Sequence, residues 1–439
     1  MEYPIMAIAT RRSQAIVGCA IAVVGCTDDS LIYEVGYSSN DTESSALARS
    51  SQEATDTTTD TDTDTDTDTD TDTSTDTDGM DTSDDGTEGP IEGFPVAWPD
   101  GCQAEWQEIE APSGEERTIR GTPSGDLYLA VNDFRTERMP HYWLESGLYR
   151  RNTETDTWDP IFNTFQGNLT WGSITDFFLH PDGEIYISGV RFVEDGYGIT
   201  HTYLARYLGP TDADAPPSDS DWEELYLHED QYIFAVGALD DGTLVASGCA
   251  RGALECASGI LLVEDAPGSL TALDFPASQA LLSASGLHRD EILVAGTPDY
   301  AAIGASSTGI QNWISLAEGD FGHNKGAWRQ GETRYIGGNL ALMRLIEADT
   351  ALEEVNFPFP IDVFQGMPFG TDEAIVGGCK RTALACSRGL LLHHDGTVFG
   401  ELETPEKVLS VESVWTADGC NVWMTTHDYV YRHQPVVDP

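Results

Sequence analysis

Residues 99–439 are predicted to form an all-β repeat fold. Three observations predict it: a short β-rich segment recurs about every 40 to 60 residues, turn signals stand ahead of several copies, and nothing between them carries a helical period. The segments are GDLYLAV from Gly125, GEIYISG from Gly183, GTLVASG from Gly242, DEILVAG from Asp290, ETRYIGG from Glu332, DEAIVGG from Asp372 and GCNVWMT from Gly419. Pro181-Asp182-Gly183, Asp241-Gly242 and Asp418-Gly419 are turn sequences, so the run after each reads as the second strand of a hairpin. Repeats of this length suit four-stranded blades, which predicts a seven-bladed β-propeller with six and eight as neighbouring counts. Two independent β-sandwiches made of the same strands are the competing arrangement.

In chain order, residues 1–25 read as an export signal. Arg11 and Arg12 precede an apolar run from Ala15 to Gly25 that is too short to span a bilayer. VVGC at Val23–Cys26 resembles the bacterial lipobox, in which a small residue precedes a cysteine that is lipidated and becomes the new N-terminus; Cys26 is the expected lipidation site. IVGC at Ile16–Cys19 has the same form, but cutting there would leave only a few apolar residues. The alternative is a plain secretory signal in which both cysteines are hydrophobic-region residues.

Residues 26–98 form the expected linker. From Asp56 to Asp78 the chain is almost pure Thr-Asp alternation, which cannot bury enough surface to offset its ordering entropy and extends by self-repulsion. The segment reads as a stalk, and its threonines as candidate O-glycosylation sites. No cofactor is expected. Calcium is the one ion the acids suit, through Asp76, Asp78 and Asp81, where the closing bidentate acid of a calcium loop is not evident, or through Asp212, Asp214, Asp219 and Asp221, an acidic insertion before an outer strand.

Charge excludes one class of partner. The chain has 75 acidic and 22 basic residues and a net charge of -53, so a nucleic-acid backbone would be repelled. The folded part is itself strongly acidic, since most of the acids lie beyond residue 100.

Within the repeats the third unit shows the strand plan: YIFAVGAL from Tyr232 innermost, LVASG from Leu244 second, ILLVE from Ile260 third and LTALDF from Leu270 outermost. The last unit ends after its third strand, DYVYRHQ from Asp428. EWQEIE from Glu105 is a spare strand that would supply the missing outer one and close the ring, leaving no open sheet edge.

Two cassettes, GCARGALECASGILLV and GCKRTALACSRGLLLH, repeat one cysteine spacing. In an exported protein Cys249 with Cys256, and Cys379 with Cys386, are expected to pair, each closing the loop between second and third strands. Cys102 and Cys420 remain, and a bond between them would clip the ring shut. Zinc is the competing use, but C-x6-C without a His pair is poor ligand spacing, so no metal is expected.

The cassettes carry Arg251, Lys380, Arg381 and Arg388, which either present an anion or carboxylate site on the rim or pair with acids such as Glu255. NDFRTERMPHYWLES from Asn132 adds Arg135, Arg138, His141, Tyr142 and Trp143, types that serve sugar and protein recognition or simply cover the blade beneath. His393-His394-Asp395 is read as solvent-facing or a satisfied turn, because adjacent strand residues point to opposite faces. G-x-S-x-G, H-E-x-x-H, phosphate-loop and dinucleotide motifs are all missing, which tilts the reading away from an enzyme and names no catalytic residue.

With VVGC, the Thr-Asp stalk and the disulfide-stapled repeats, the chain resembles surface lipoproteins of bacteria related to the myxobacteria. The blade pattern resembles sialidase-like and photosystem-assembly-factor-like propellers. It departs from the sialidase Asp-box, since Thr416-Ala417-Asp418-Gly419 ahead of Trp423 has its glycine one place early. The resemblance implies a lipid-anchored propeller at the outer membrane or cell surface and carries over no catalytic residue. The expected role is a binding or adhesion module for an extracellular protein or glycan, held at the membrane through its lipid. A hydrolase or lyase acting on an extracellular polymer is the alternative.

Overall fold

The computed structural model describes Trp98, Cys102 and most residues from Ala104 to Pro435, with a pair of two-residue strands, β1 (Ala20–Ile21) and β2 (Val35–Gly36). The expected lipidation site Cys26, the Thr-Asp linker and the side chains of Arg135 and Trp143 lie outside the described residues.

The chain then builds seven antiparallel sheets of four strands, in which sequence neighbours pair. Blade one is β4 (Glu116–Gly121), β5 (Leu127–Phe134), β6 (Leu144–Asn152) and β7 (Thr157–Asn163). Blade two is β8 (Ser173–Leu179), β9 (Ile185–Phe192), β10 (Ile199–Tyr207) and β11 (Trp222–His228). Blade three is β12 (Gln231–Ala238), β13 (Leu244–Arg251), β14 (Cys256–Ala266) and β15 (Ser269–Asp274). Blade four is β16 (Ala280–His288), β17 (Glu291–Thr297), β18 (Tyr300–Gly304) and β19 (Ile314–Glu318). Blade five is β20 (Asn324–Gln330), β21 (Thr333–Gly338), β22 (Leu342–Ile346) and β23 (Glu353–Glu354). Blade six is β24 (Ile361–Phe369), β25 (Glu373–Arg381), β26 (Cys386–His394) and β27 (Phe399–Leu402). The last sheet is β28 (Ser413–Thr416), β29 (Val422–Thr425), β30 (Val430–Pro435) and, from the other end of the chain, β3 (Ala104–Ile109).

Among the described residues six sheets have four strands of at least four residues, and the outer strand of blade five is described over Glu353–Glu354.

Second strands such as β13 and β25 are buried on both faces, which is why the recurring segments read as apolar runs rather than alternating ones. Their side chains fill clusters between consecutive sheets. Phe162 of blade one meets Phe177, Ile187 and Tyr203 of blade two, Val245 meets Ile292 and Val294, and Ile375 meets Val414 and Met424. Ile119 and Leu129 of blade one meet Trp415, Trp423 and Val430 of the last sheet, so the core runs back to its beginning.

Five inner strands share one irregularity. The register slips by a residue between Ile174 and Asp176, Ile233 and Ala235, Leu281 and Ser283, Asn324 and Gly326, and Val363 and Gln365. Such a bulge increases twist and re-aims the next side chain. Above it the strand presses on its neighbour: a Cβ on Gly248 would lie 1.8 Å from the Tyr232 carbonyl oxygen, and one on Gly378 would lie 2.0 Å from that of Asp362. The glycine that ends most recurring segments is therefore required by close approach of backbone.

His393 and His394 correct the solvent-facing reading, for both are buried. His393 stacks on Phe369, and His394 packs against Phe399 and Tyr335, on the opposite face. Asp395 does close a turn, accepting bonds from the N–H groups of Thr397 and Val398 that hold its carboxyl at about 2. The Gln330 amide and the Gly396 N–H lie at His394 Nδ1, at 2.7 and 3.3 Å, and burial lowers the pKa of the ring. A folded-state value below the unfolded one contributes stability above the unfolded pKa that is lost as pH falls through the folded one. The urea midpoint should therefore fall on acidification from pH 7 to pH 5, and fall less in His394→Gln; equal pH dependence would refute it.

Candidate functional site: the rim cassettes and the axial cavity

The two cassettes have the same construction. Cys249 stands opposite Gly259 and Arg251 opposite Cys256, with a register slip at Ala250/Arg251; Cys379 stands opposite Gly389 and Arg381 opposite Cys386, with a slip at Lys380/Arg381. Both disulfides close the hairpin between second and third strands, with Cα atoms 5.5 and 5.6 Å apart. The chain-entropy model gives each roughly 2 to 3 kcal/mol. Each cassette also anchors its own inner strand, since the Arg251 N–H bonds the Asp230 carbonyl at 2.7 Å and the Arg381 N–H bonds the Pro360 carbonyl at 2.9 Å.

The four cassette cations divide. Arg381 lies 3.2 Å from Asp362, both nearly buried, and Lys380 lies 2.9 Å from Glu401 and 4.2 Å over the Phe359 ring. Lys380 and Arg381 thus pair with acids brought by other strands. Arg251 rests 5.8 Å over Tyr232, and Arg388 is exposed on β26. Asp362, Cys379 and Cys386 come close enough to suggest a metal cluster, but the sulfurs are bonded to each other and Asp362 faces Arg381. Asp221, from the acidic insertion, caps a turn by accepting from the Ser218 N–H at 2.8 Å.

Sequence reading did not anticipate a second site. The inner strands enclose an axial cavity of about 460 Å³. Its wall is held by one bond repeated from blade to blade. Asp176 Oδ2 accepts from Val236 N–H, Ser283 Oγ from Ala327 N–H, Gln365 Oε1 from Val414 N–H and Ser413 Oγ from Ile119 N–H, all at 3.0 to 3.1 Å. In three of these the acceptor is the residue just after the bulge, so the irregularity aims a polar side chain at the next inner strand.

Two ion pairs sit in this wall, Arg120 with Asp176 at 2.9 Å and Arg329 with Asp240 at 2.7 Å. Burial raises the pKa of the Asp176 carboxyl, while Arg120 and the N–H groups of Val236 and Phe177 pull the other way.

No protein-family model matches the chain, and no curated protein matches it. Solved structures do, and they are β-propellers. The chain is similar to the WD40 beta propeller domain of Doa1, with 12% identity over 75% of this chain and 97% of that one and a TM-score of 0.50. It is also similar to streptogramin B lyase, with 10% identity over 76% and 97% and a TM-score of 0.51. YCF48 bound to D1 peptide aligns at 11% identity over 79% and 100%, with a TM-score of 0.49. At these identities the likeness concerns the fold.

Proposed function

We propose that this chain is an exported, lipid-anchored β-propeller that binds a protein partner through the rim carrying its two cassettes. The observation that carries the reading is the duplication itself: blades three and six hold the same disulfide-locked loop in the same register, with Arg251 and Arg388 on the loop and Lys380 and Arg381 bracing it. A rigid loop loses little entropy on binding, and arginine suits carboxylate partners. Three disulfides suit an oxidising compartment, in line with the signal and with lipidation at Cys26. The ring is read as seven-bladed, closed by the N-terminal strand.

The test is capture of envelope proteins by wild type and by an Arg251→Glu/Arg388→Glu variant of equal thermal stability. Loss of a specific partner in the variant is the expected result; identical capture would remove the rim site. The alternative, a hydrolase or lyase acting on an extracellular polymer, is favoured by one feature, a carboxyl in a cavity with a raised pKa at Asp176. Turnover of a polysaccharide panel that is lost in Asp176→Asn would establish it instead.

A further inference from the structure

We propose that the partner is held in the recess beside the blade-six cassette, which takes a protein segment carrying an apolar side chain next to an Asp or Glu carboxyl. This deepens the protein-binding reading of the rim and rests on it. The recess is open, measures about 430 Å³ and is lined by Val355, Phe357, Pro358, Phe359 and Pro360, with Glu354 at one end.

The sequence NFPFP over 356–360 explains the wall. Phe357 and Phe359 each precede a proline, which presets extended backbone at both positions. Pro358 and Pro360 are exposed, and the two phenylalanines are half-buried. Bonds tie down both ends: the Val355 N–H donates to the Leu342 carbonyl of blade five at 2.8 Å, and the Pro360 carbonyl accepts from the Arg381 N–H of the cassette at 2.9 Å. A wall fixed in this way loses little entropy when a partner settles on it.

The cassette adds a cation. Arg388 stands directly opposite Lys380 in the pairing of β25 with β26, so the two side chains share a face with Cβ atoms about 5 Å apart. Lys380 Nζ lies 4.2 Å over the Phe359 ring. Leu390 and Leu392, on the same face of β26 as Arg388, belong to the cluster against which Val355, Phe357 and Phe359 pack. Arg388 therefore borders the recess. Its side chain is exposed and, among the described residues, makes no ion pair, hydrogen bond or ring contact. Lys380 is taken by Glu401, and most described cations of this acidic domain are likewise paired with carboxylates.

Charge then selects the occupant. A carboxyl is attracted at the Arg388 end and repelled at the Glu354 end, so the segment enters in one direction with its apolar residue over the Phe-Pro wall. The terminal carboxylate of a chain is usually held in a nest of N–H groups, and the two prolines of this wall have none. The acid is thus a side chain within the partner.

The experiment is selection of a phage-displayed heptapeptide library on the oxidised full chain, followed by fluorescence anisotropy with the best peptide made synthetically and amidated. The selected peptides should share an aromatic or large aliphatic residue within two positions of Asp or Glu, and bind with a Kd of about 100 μM or below. Arg388→Glu should weaken binding about tenfold or more, as expected for a charge-assisted bond, while Arg388→Lys keeps part of the affinity and Arg251→Glu keeps all of it. Changing the peptide's apolar residue to alanine should cost a similar factor. The proposal is overturned if no sequence is enriched, if the enriched peptides are basic or proline-rich without an acid, or if Arg388→Glu binds as wild type does. Loss in Arg251→Glu but not in Arg388→Glu overturns it too, while leaving the rim reading in place.

Discussion

Replacing Cys102 and Cys420 by alanine should lower unfolding stability by about 2 to 5 kcal/mol, more than removing either cassette disulfide. The bond joins residues 318 apart in sequence, so it encloses nearly the whole propeller. The chain-entropy model sets a ceiling of about 5 to 6 kcal/mol for such a loop, against roughly 2 to 3 for a cassette. It is also the covalent support for the seam. β3 pairs with β30 from Ala104 opposite Pro435 to Ile109 opposite Val430, and Trp98 stacks on His433 with ring centroids 3.5 Å apart. Without the bond, β3 becomes a strand that can leave, exposing the edge of β30. Urea unfolding measures the loss, and hydrogen exchange should place the earliest opening in β3. A loss no greater than that in Cys249→Ala/Cys256→Ala would show that the seam is held by packing alone.

Asp176→Ala should cost about 2 to 3 kcal/mol, and Asp176→Asn less than about 1. Alanine leaves the Arg120 guanidinium without its carboxylate and the Val236 N–H without its acceptor, in the wall of a cavity. Asparagine keeps an oxygen in place and cannot ionise. Because burial raises the Asp176 pKa above its unfolded value, its stabilising contribution is complete below the unfolded value and is lost as pH rises through the folded one. The charge is thus a cost at neutral pH, whereas the acceptor is needed at every pH. Urea unfolding of the two variants at pH 7 separates the effects; equal losses would mean that the charge, and not the staple, holds the blades together.

The strand plan was legible because its causes are local. β13 and β25 sit between two layers and read as apolar runs, and the glycines before the recurring segments take left-handed backbone, with φ of 89° at Gly183, 84° at Gly242 and 75° at Gly419. The cysteine pairing was legible from parity and repetition. The partners of Lys380 and Arg381 were not, since Glu401 and Asp362 arrive from other strands of the blade. Nor was the cavity. Its stapling residues Asp176, Ser283, Gln365 and Ser413 span three residue types and share no motif, and for the first three the bulged register shows that they occupy one position. The signal that would have found it is a polar residue in the middle of most inner strands, broken at Ala235 and Gly326.

The sequence by itself determined the all-β class, the strand plan within each blade and which cysteines join, because these follow from side-chain alternation, turn chemistry and spacing between near neighbours. Only the tertiary structure decided that His393 and His394 are buried and that the inner strands surround a polar cavity, stapled to one another at four junctions. Those features depend on contacts between residues a whole blade apart, and the chain acquires them only when each twisted sheet is packed on the next and the first strand is sealed to the last.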